Sequence, residues 1–219
     1  MKIYEIFQSI DGEVNYFHQG CITTFIRVAG CNFWKNPCLY CDTKYAADPN
    51  SGKEMEVKEI IDIVSKLGGH KITITGGEPL FQMKEFYELT KKLYHSGFNT
   101  SVETNGSLPL EGYGVGSWVT DFKLPGSGNY DKMDHKLFVG LNSSDFVKFV
   151  ITDKNDYRTA IREKNYLQSD GCHAKFAFSP VFGPCRTLEN RMPIVDWLIQ
   201  DKVFDAIINV QIHKILDVL

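Results

Sequence analysis

Apolar residues along this 219-residue chain fall into two recurring patterns, short β-branched and aromatic runs alternating with longer stretches spaced three and four apart. The segment "CITTFIRVAG" (21–30) is of the first kind and closes at Gly30, which predicts a strand. "EVKEIIDIVSKLGG" places Val57, Ile60, Ile61, Val64 and Leu67 at helical intervals and stops at Gly68 and Gly69. "KITIT" (71–75) predicts the next strand, ending in "GGEP". "FQMKEFYELTKKLYHSG" then predicts a helix with Phe81, Phe86, Leu89 and Leu93 on one side and Gly97 as its stop. Further strands are expected over "FNTSVETNG", "SWVTDFK", "DFVKFVIT" and "AKFAFSP". Helices are expected over "NDYRTAIREKNYL" and "ENRMPIVDWLIQD", with Pro193 bending or starting the second. Residues 106–145 are rich in Gly, Ser and Pro and predict long loops.

Strands alternating with helices predict an α/β architecture with a largely parallel sheet. In such folds chemistry gathers at the carboxyl ends of the strands, so "GGEP", "ETNG", "DFK" and "FSP" are expected on one rim. No internal repeat or linker divides the chain, and one domain over residues 1–219 is expected. At 43% hydrophobic and 23% charged residues the composition is that of a globular protein. A net charge of −3, from 24 Lys plus Arg against 27 Asp plus Glu, gives no reason to expect nucleic acid as a partner. The absence of any apolar run near ~20 residues argues against a membrane span. The start "MKIYEIFQSIDGE" lacks the apolar core of a signal peptide, so a cytoplasmic location is expected.

Three of the six cysteines crowd into "CNFWKNPCLYCDT" (31–43) with the spacing C-x6-C-x2-C. In a reducing compartment such a group serves a metal or redox centre more often than a disulfide. Cys31, Cys38 and Cys41 leave two readings open. Structural zinc normally takes four ligands, and Cys21 or His18 is available as the fourth. A four-iron cluster on three thiolates leaves one iron open, as a catalytic centre requires. "GGEP" supplies Gly76 and Gly77, which would admit a ligand close to the backbone, and Glu78, an acceptor for an ammonium group.

With this cysteine loop upstream and "ETNG" downstream, the chain resembles the radical S-adenosylmethionine enzymes. Their familiar spacing is C-x3-C-x2-C, from which this loop departs by three residues, accommodated between Phe33 and Pro37. More narrowly it resembles the 7-carboxy-7-deazaguanine synthase family, from "EIFQSIDGE" through "FIRVAGCNFW", "YCDT", "TGGEPL" and "ETNG" to "QIHK". The resemblance implies an incomplete or modified (β/α) barrel carrying a 4Fe-4S cluster, S-adenosylmethionine and Mg2+. It implies a lyase of queuosine and 7-deazapurine biosynthesis that contracts the ring of 6-carboxy-5,6,7,8-tetrahydropterin to 7-carboxy-7-deazaguanine with loss of ammonia. It further implies a homodimer and a flavodoxin or ferredoxin as electron donor. An activating enzyme for a glycyl-radical protein and a non-catalytic zinc-binding adaptor are the alternatives.

Carried over to this sequence, the resemblance makes Cys31, Cys38 and Cys41 the cluster ligands and Thr43 the magnesium ligand. Tyr40, Asp42, Gly76, Gly77, Glu78, Glu103, the segment Asp121, Phe122 and Lys123, and the segment Ser179, Pro180, Val181 and Phe182 fall to S-adenosylmethionine. Ile10, Asp11, Gly12, Glu13, Arg27, Thr75, Gln211, His213 and the terminal Leu219 fall to the substrate, with Asp11 standing where the family often has Gln. Arg27 suits a bidentate pair with a carboxylate, and Glu13 suits paired N–H donors. Cys21, Cys172 and Cys185 are read as buried or free thiols.

Overall fold

The computed structural model describes residues 1–181 and 193–218. Nine strands form one open sheet: β1 (Lys2–Ile10), β2 (Ile22–Val28), β3 (Lys53–Glu54), β4 (Lys71–Gly76), β5 (Asn99–Thr104), β6 (Ser117–Asp121), β7 (Phe146–Ile151), β8 (Lys175–Pro180) and β9 (Ile207–Ile208). Their order is β3-β1-β2-β4-β5-β6-β7-β8-β9. From β2 to β9 every neighbouring pair is parallel, whereas β1 pairs antiparallel with both β2 and β3.

The helices are α1 (Lys44–Ala47), α2 (Val57–Leu67), α3 (Met83–His95), α4 (Lys154–Ser169), α5 (Ile194–Gln200) and α6 (Ile212–Leu216). Helix α2 buries Val57, Ile60 and Val64, and α3 buries Phe86, Leu89 and Leu93. Phe81 does not join that stripe. It sits in the 3-10 turn Pro79–Gln82 that precedes α3, is 42% exposed, and lies beside Gly30. Pro193 starts α5 rather than bending it, as its missing N–H allows. The loop region 106–145 is punctuated by three further 3-10 turns, Pro125–Ser127, Tyr130–Lys132 and His135–Leu137.

Successive strand residues face opposite ways, and the chain uses this to separate two environments. Ile72, Ile74, Val102, Val147, Phe149, Phe176 and Phe178 point outward into the apolar core beneath the helices. The alternate positions face a cavity and carry its polar groups, Thr75, Glu103, Asp121, Lys148 and Ser179, interspersed with Phe25, Val119 and Val150. Strand β1 departs from the alternation that would have announced it, because its register with β2 shifts between Ile3 and Glu5. Its antiparallel course delivers residues 11–19 to the amino ends of the parallel strands. There Tyr16 N donates to Ser117 Oγ (3.1 Å), and Val14 packs with Phe146 and Ala177.

Phe86 is fully buried on α3, its ring 6.0 Å from that of Trp118. Truncation of Phe86 to Ala is expected to cost about 3–5 kcal/mol, read as a lower urea midpoint with an unchanged slope.

Candidate active site

A cavity of about 400 Å³ opens at the carboxyl ends of the parallel strands, within the size range of small-molecule sites. Its upper wall is the cysteine loop, which leaves β2 at Gly30 and is fixed through its main chain. Gly30 N and Cys31 N donate to the carbonyls of Ala46 and Ala47 on α1, at 2.8 and 2.9 Å. Cys41 N donates to Cys38 O at 3.0 Å, and Leu39 N donates to Ser127 O at 3.0 Å. Cys31, Cys38 and Cys41 all line the cavity. Burial pushes the Cys31 thiol up to about 11 and raises Cys38 as well. At these two positions burial works against a thiolate, and a bound metal centre would supply the positive charge that favours one.

N–H donors reach two of the three sulfurs, and a hydroxyl lies beside the third. Phe33 N (3.4 Å) and Asn105 Nδ2 (3.8 Å) reach Cys31 Sγ, Asn129 Nδ2 (3.6 Å) reaches Cys38 Sγ, and the Thr43 hydroxyl lies 3.7 Å from Cys41 Sγ. The fourth zinc ligand considered above is out of reach. Cys21 precedes β2 and Cys31 follows it, so the seven residues of the strand separate them by roughly 23 Å at about 3.3 Å per residue. His18 and Cys21 line a separate depression at the amino end of the sheet. That removes the zinc adaptor as a reading of this cysteine loop.

Below the sulfurs the walls carry opposed charges. Glu13 accepts from Lys148 Nζ (2.6 Å) and Asn209 Nδ2 (2.8 Å) through one oxygen, and from Gln211 Nε2 (2.7 Å) through the other. Lys148 Nζ also lies 3.2 Å from Asp121, whose other oxygen receives Lys123 Nζ at 2.6 Å. Burial works against the Asp121 charge, yet the two ammonium groups outweigh it and hold the carboxyl below its usual range. Burial also disfavours charge on Lys148, but Asp121, Glu13 and Glu103 keep it protonated.

Glu103 has no such cation in direct contact. It accepts from Thr75 Oγ1 at 2.7 Å, and burial, together with the Glu13 and Asp11 carboxylates, pushes it up to about 8. The Tyr40 hydroxyl is buried in the wall with no partner among the described residues. Arg27 lies over the rings of Phe7 and Tyr45 (5.4 and 5.9 Å), and among the described residues only its Nε is hydrogen-bonded, to Glu5 at 2.7 Å. Asp42 pairs with Lys214. His213 stands against Gly12, where an added Cβ would come 1.7 Å from its ring nitrogen.

The cavity thus brings together most of the residues singled out in the sequence, Gly12, Thr43, Pro180 and Val181 among them. Four differ. Glu78 is fully buried behind the wall, where its oxygens accept from Leu80 N (3.0 Å), Thr104 Oγ1 (2.8 Å) and Asn105 N (2.7 Å) rather than facing a ligand in the cavity. Phe122 faces the core between Phe138 and Phe149. Asp11 lies beneath the floor, bound by Thr73 Oγ1 (2.7 Å) and Lys71 Nζ (2.8 Å). Ile10 pairs with Ile22 at the end of β1. Phe182, Cys185 and Leu219 lie outside the described residues.

Gly76 and Gly77 line the cavity, but the backbone they approach is the chain's own. A Cβ on Gly77 would meet Gly30 O at 2.1 Å, and Gly76 holds φ at +134°. Lys148 and Asn209 were missed in the sequence. A lysine in the middle of "DFVKFVIT" was a signal for the first, because a central parallel strand seldom buries a cation without a partner.

A three-thiol loop after the first parallel strand, above a polar cavity in an open α/β sheet, defines a radical S-adenosylmethionine protein. The profile of the Radical SAM superfamily matches residues 25–115. Over 98% of its length the chain is 35% identical to the 7-carboxy-7-deazaguanine synthase of Clostridium acetobutylicum, covering 95% of that protein. The enzyme of the same name from Koribacter versatilis is 31% identical over 99% of the chain and 96% of its own. The chain belongs to the 7-carboxy-7-deazaguanine synthase family. The crystal structure of QueE from Escherichia coli shares the fold, with a TM-score of 0.69 at 18% identity over 96% of this chain and 93% of that one. Family membership carries the 4Fe-4S cluster and S-adenosylmethionine with it, and the cavity fits them: three cysteines on one wall, an orphaned Tyr40 hydroxyl and opposed charges below.

Two predictions follow from the charges. Because Glu103 holds its proton above the ordinary carboxylate value of 4.5, the folded protein binds that proton more tightly than the unfolded chain. The stability this contributes is lost as pH rises from 4.5 towards 8. An infrared carboxylic-acid band should be present near about pH 6, fade by about pH 9, and be missing in Glu103→Gln. Separately, Lys148→Met strips Glu13 and Asp121 of a shared cation and should destabilise the fold by about 3–5 kcal/mol in urea titrations, against a small effect from the exposed Lys92→Met.

Proposed function

We propose that the chain catalyses the radical conversion of 6-carboxy-5,6,7,8-tetrahydropterin to 7-carboxy-7-deazaguanine with release of ammonia, in 7-deazapurine biosynthesis. One observation carries this reading: a single cavity has the three sulfurs on one wall and the Glu13–Gln211 pair with Arg27 on others. The residues there suit a cluster and S-adenosylmethionine, which when bound supply a carbon radical for hydrogen-atom abstraction. The protein contributes placement, charge and exclusion of water.

Arg27 receives the substrate carboxylate. Its Nε is committed to Glu5, and the terminal nitrogens of the guanidinium remain for a bidentate pair. Glu13 receives the pterin edge. Three of its roughly four acceptor positions are already filled, so two N–H donors from a substrate require a protein donor to leave. Gln211, on the segment leading into α6, is the group displaced. Lys148 remains beside Glu13 as its ion-pair partner at 2.6 Å. Glu103, protonated at neutral pH, holds a proton on the cavity wall.

Tyr40, Asp42, Asp121, Lys123 and Ser179 serve S-adenosylmethionine, and Thr43 offers its hydroxyl to Mg2+ beside the last cysteine. A flavodoxin- or ferredoxin-type carrier is the reductant, and two copies of the chain form the working unit in the cytoplasm. These assignments rest on family resemblance.

The test is an anaerobic assay of iron-reconstituted protein with S-adenosylmethionine, reductant, Mg2+ and carboxytetrahydropterin, following 5'-deoxyadenosine and the deazaguanine product by mass spectrometry. Product dependent on every component is expected; deoxyadenosine without the deazaguanine would overturn the substrate. Cys41→Ala should hold no cluster and give no product. Thr43→Ala should keep the cluster and raise the Mg2+ concentration needed for half-maximal rate by about tenfold, the equivalent of one lost ligand interaction of about 1.4 kcal/mol.

A further inference from the structure

Asn129 is 4% exposed and does not line the cavity, yet its side-chain amide points at a cysteine sulfur 91 positions earlier in the chain. Its Nδ2 donates to Cys38 Sγ at 3.6 Å and to the carbonyl of Asn36 at 3.2 Å. Both partners are acceptors, so the amide nitrogen, not the oxygen, faces them. The turn that carries it is itself locked. Asn129 N donates to Ser127 Oγ (3.0 Å), that hydroxyl donates to Leu124 O (2.6 Å), and Ser127 O receives the N–H of Leu39, the residue after Cys38.

Asn105 repeats the arrangement on the other side of the loop. Its Oδ1 accepts from Ser107 N (3.0 Å) and Ser107 Oγ (2.6 Å), which turns Nδ2 towards Asn32 Oδ1 (2.8 Å) and Cys31 Sγ (3.8 Å). Two asparagines from separate loops therefore aim neutral N–H dipoles at two of the three sulfurs. No lysine or arginine has a hydrogen bond to these sulfurs among the described residues.

We propose that Asn129, with Asn105 as its counterpart, sets the reduction potential of the cluster by donating hydrogen bonds to cysteine sulfurs. The proposal rests on the cluster-binding reading above. An N–H group pointed at a ligating sulfur stabilises the more electron-rich, reduced cluster and so raises its potential, one of the controls open to a protein around an iron-sulfur centre. Asn129 is thus a positioning residue for charge: it touches a ligand of the cluster, not the substrate.

The experiment is an anaerobic redox titration of the reconstituted protein followed by electron paramagnetic resonance, comparing wild type with Asn129→Leu and Asn129→Asp, and with iron and sulfide content measured for each. At a fixed ambient potential the reduced-to-oxidised ratio should fall about three- to tenfold in Asn129→Leu, about 28–59 mV for a one-electron couple. It should fall further in Asn129→Asp, which replaces a donor with a carboxylate. Equal potentials in all three proteins at equal cluster content would overturn the proposal. Should the variants fail to hold a cluster, wild-type protein labelled with 15N-asparagine decides: a weak 15N coupling to the reduced cluster in a pulsed spectrum supports it, and none overturns it. Wild-type protein that takes up no iron and sulfide would instead defeat the cluster reading itself.

Discussion

The carboxylate of Glu13 is the knot on which this architecture depends. An open sheet has two free edges, and here β1 with β3 lies at one and β9 at the other. Residues 11–19 run from the first edge beneath the parallel strands. The carboxylate at their start accepts from Lys148 on β7 and from Asn209 and Gln211 beyond β9. Gln19 reinforces the join, its Nε2 donating to the carbonyls of Gly12 and Val210, both at 2.7 Å. A buried carboxylate without partners costs several kcal/mol. The segment is thereby held where Lys148 and Asn209 meet this carboxylate, and that fixes its register.

The same knot organises the charges of the site. Lys148 reaches Glu13 on one side and Asp121 on the other, and Asp121 reaches Lys123. The sequence of signs alternates along this chain of contacts, so each desolvated charge has an opposite neighbour. Glu103 stands outside it and escapes the cost of burial by keeping its proton. A cavity that must admit a charged cofactor and a carboxylated substrate is thus assembled before either arrives, with only Gln211 and the Arg27 fork in need of adjustment. Preorganisation of this kind keeps the cost of reorientation out of the binding step.

Much of this was legible in the chain. Helix spacing located α2 and α3, the segment of α4 was expected to be helical, and β-branched and aromatic runs located the parallel strands from β2 to β8, because each of these elements packs one face against the apolar core. The strand-end motifs "GGEP", "ETNG" and "DFK" fall on one rim as a parallel sheet requires, and the cysteine spacing pointed to a metal centre while leaving zinc and a four-iron cluster open. What escaped has physical causes. β1 lost its two-residue period to a register shift, and β3 and β9, of two residues each, are too short to carry any period. Glu78 looked like a ligand group because a motif shows which residues recur and not which way they point; its carboxylate instead holds the start of "NG" in place through Thr104 and Asn105. Lys148 announced itself only as a cation inside an apolar strand, and its partner lies 135 positions away.

The enlarged cysteine loop shows how such a departure is tolerated. Doubling the first spacing from three residues to six costs only about 0.6 kcal/mol in loop-closure entropy, whereas one intramolecular hydrogen bond returns about 0.5–1.5 kcal/mol net. Two main-chain groups of the longer loop bond to the 127–129 turn: the Asn36 carbonyl accepts from Asn129 at 3.2 Å, and Leu39 N donates to Ser127 O at 3.0 Å. Trp34 N and Asn36 N close successive turns within it at 3.0 and 2.9 Å. Trp34 and Leu39 are exposed, whereas Phe33 is buried and adds apolar packing to these bonds. The loop is held by main-chain groups docked on the 127–129 turn, and its added length is what lets Asn36 and Leu39 reach that turn while Cys31 stays tied to α1.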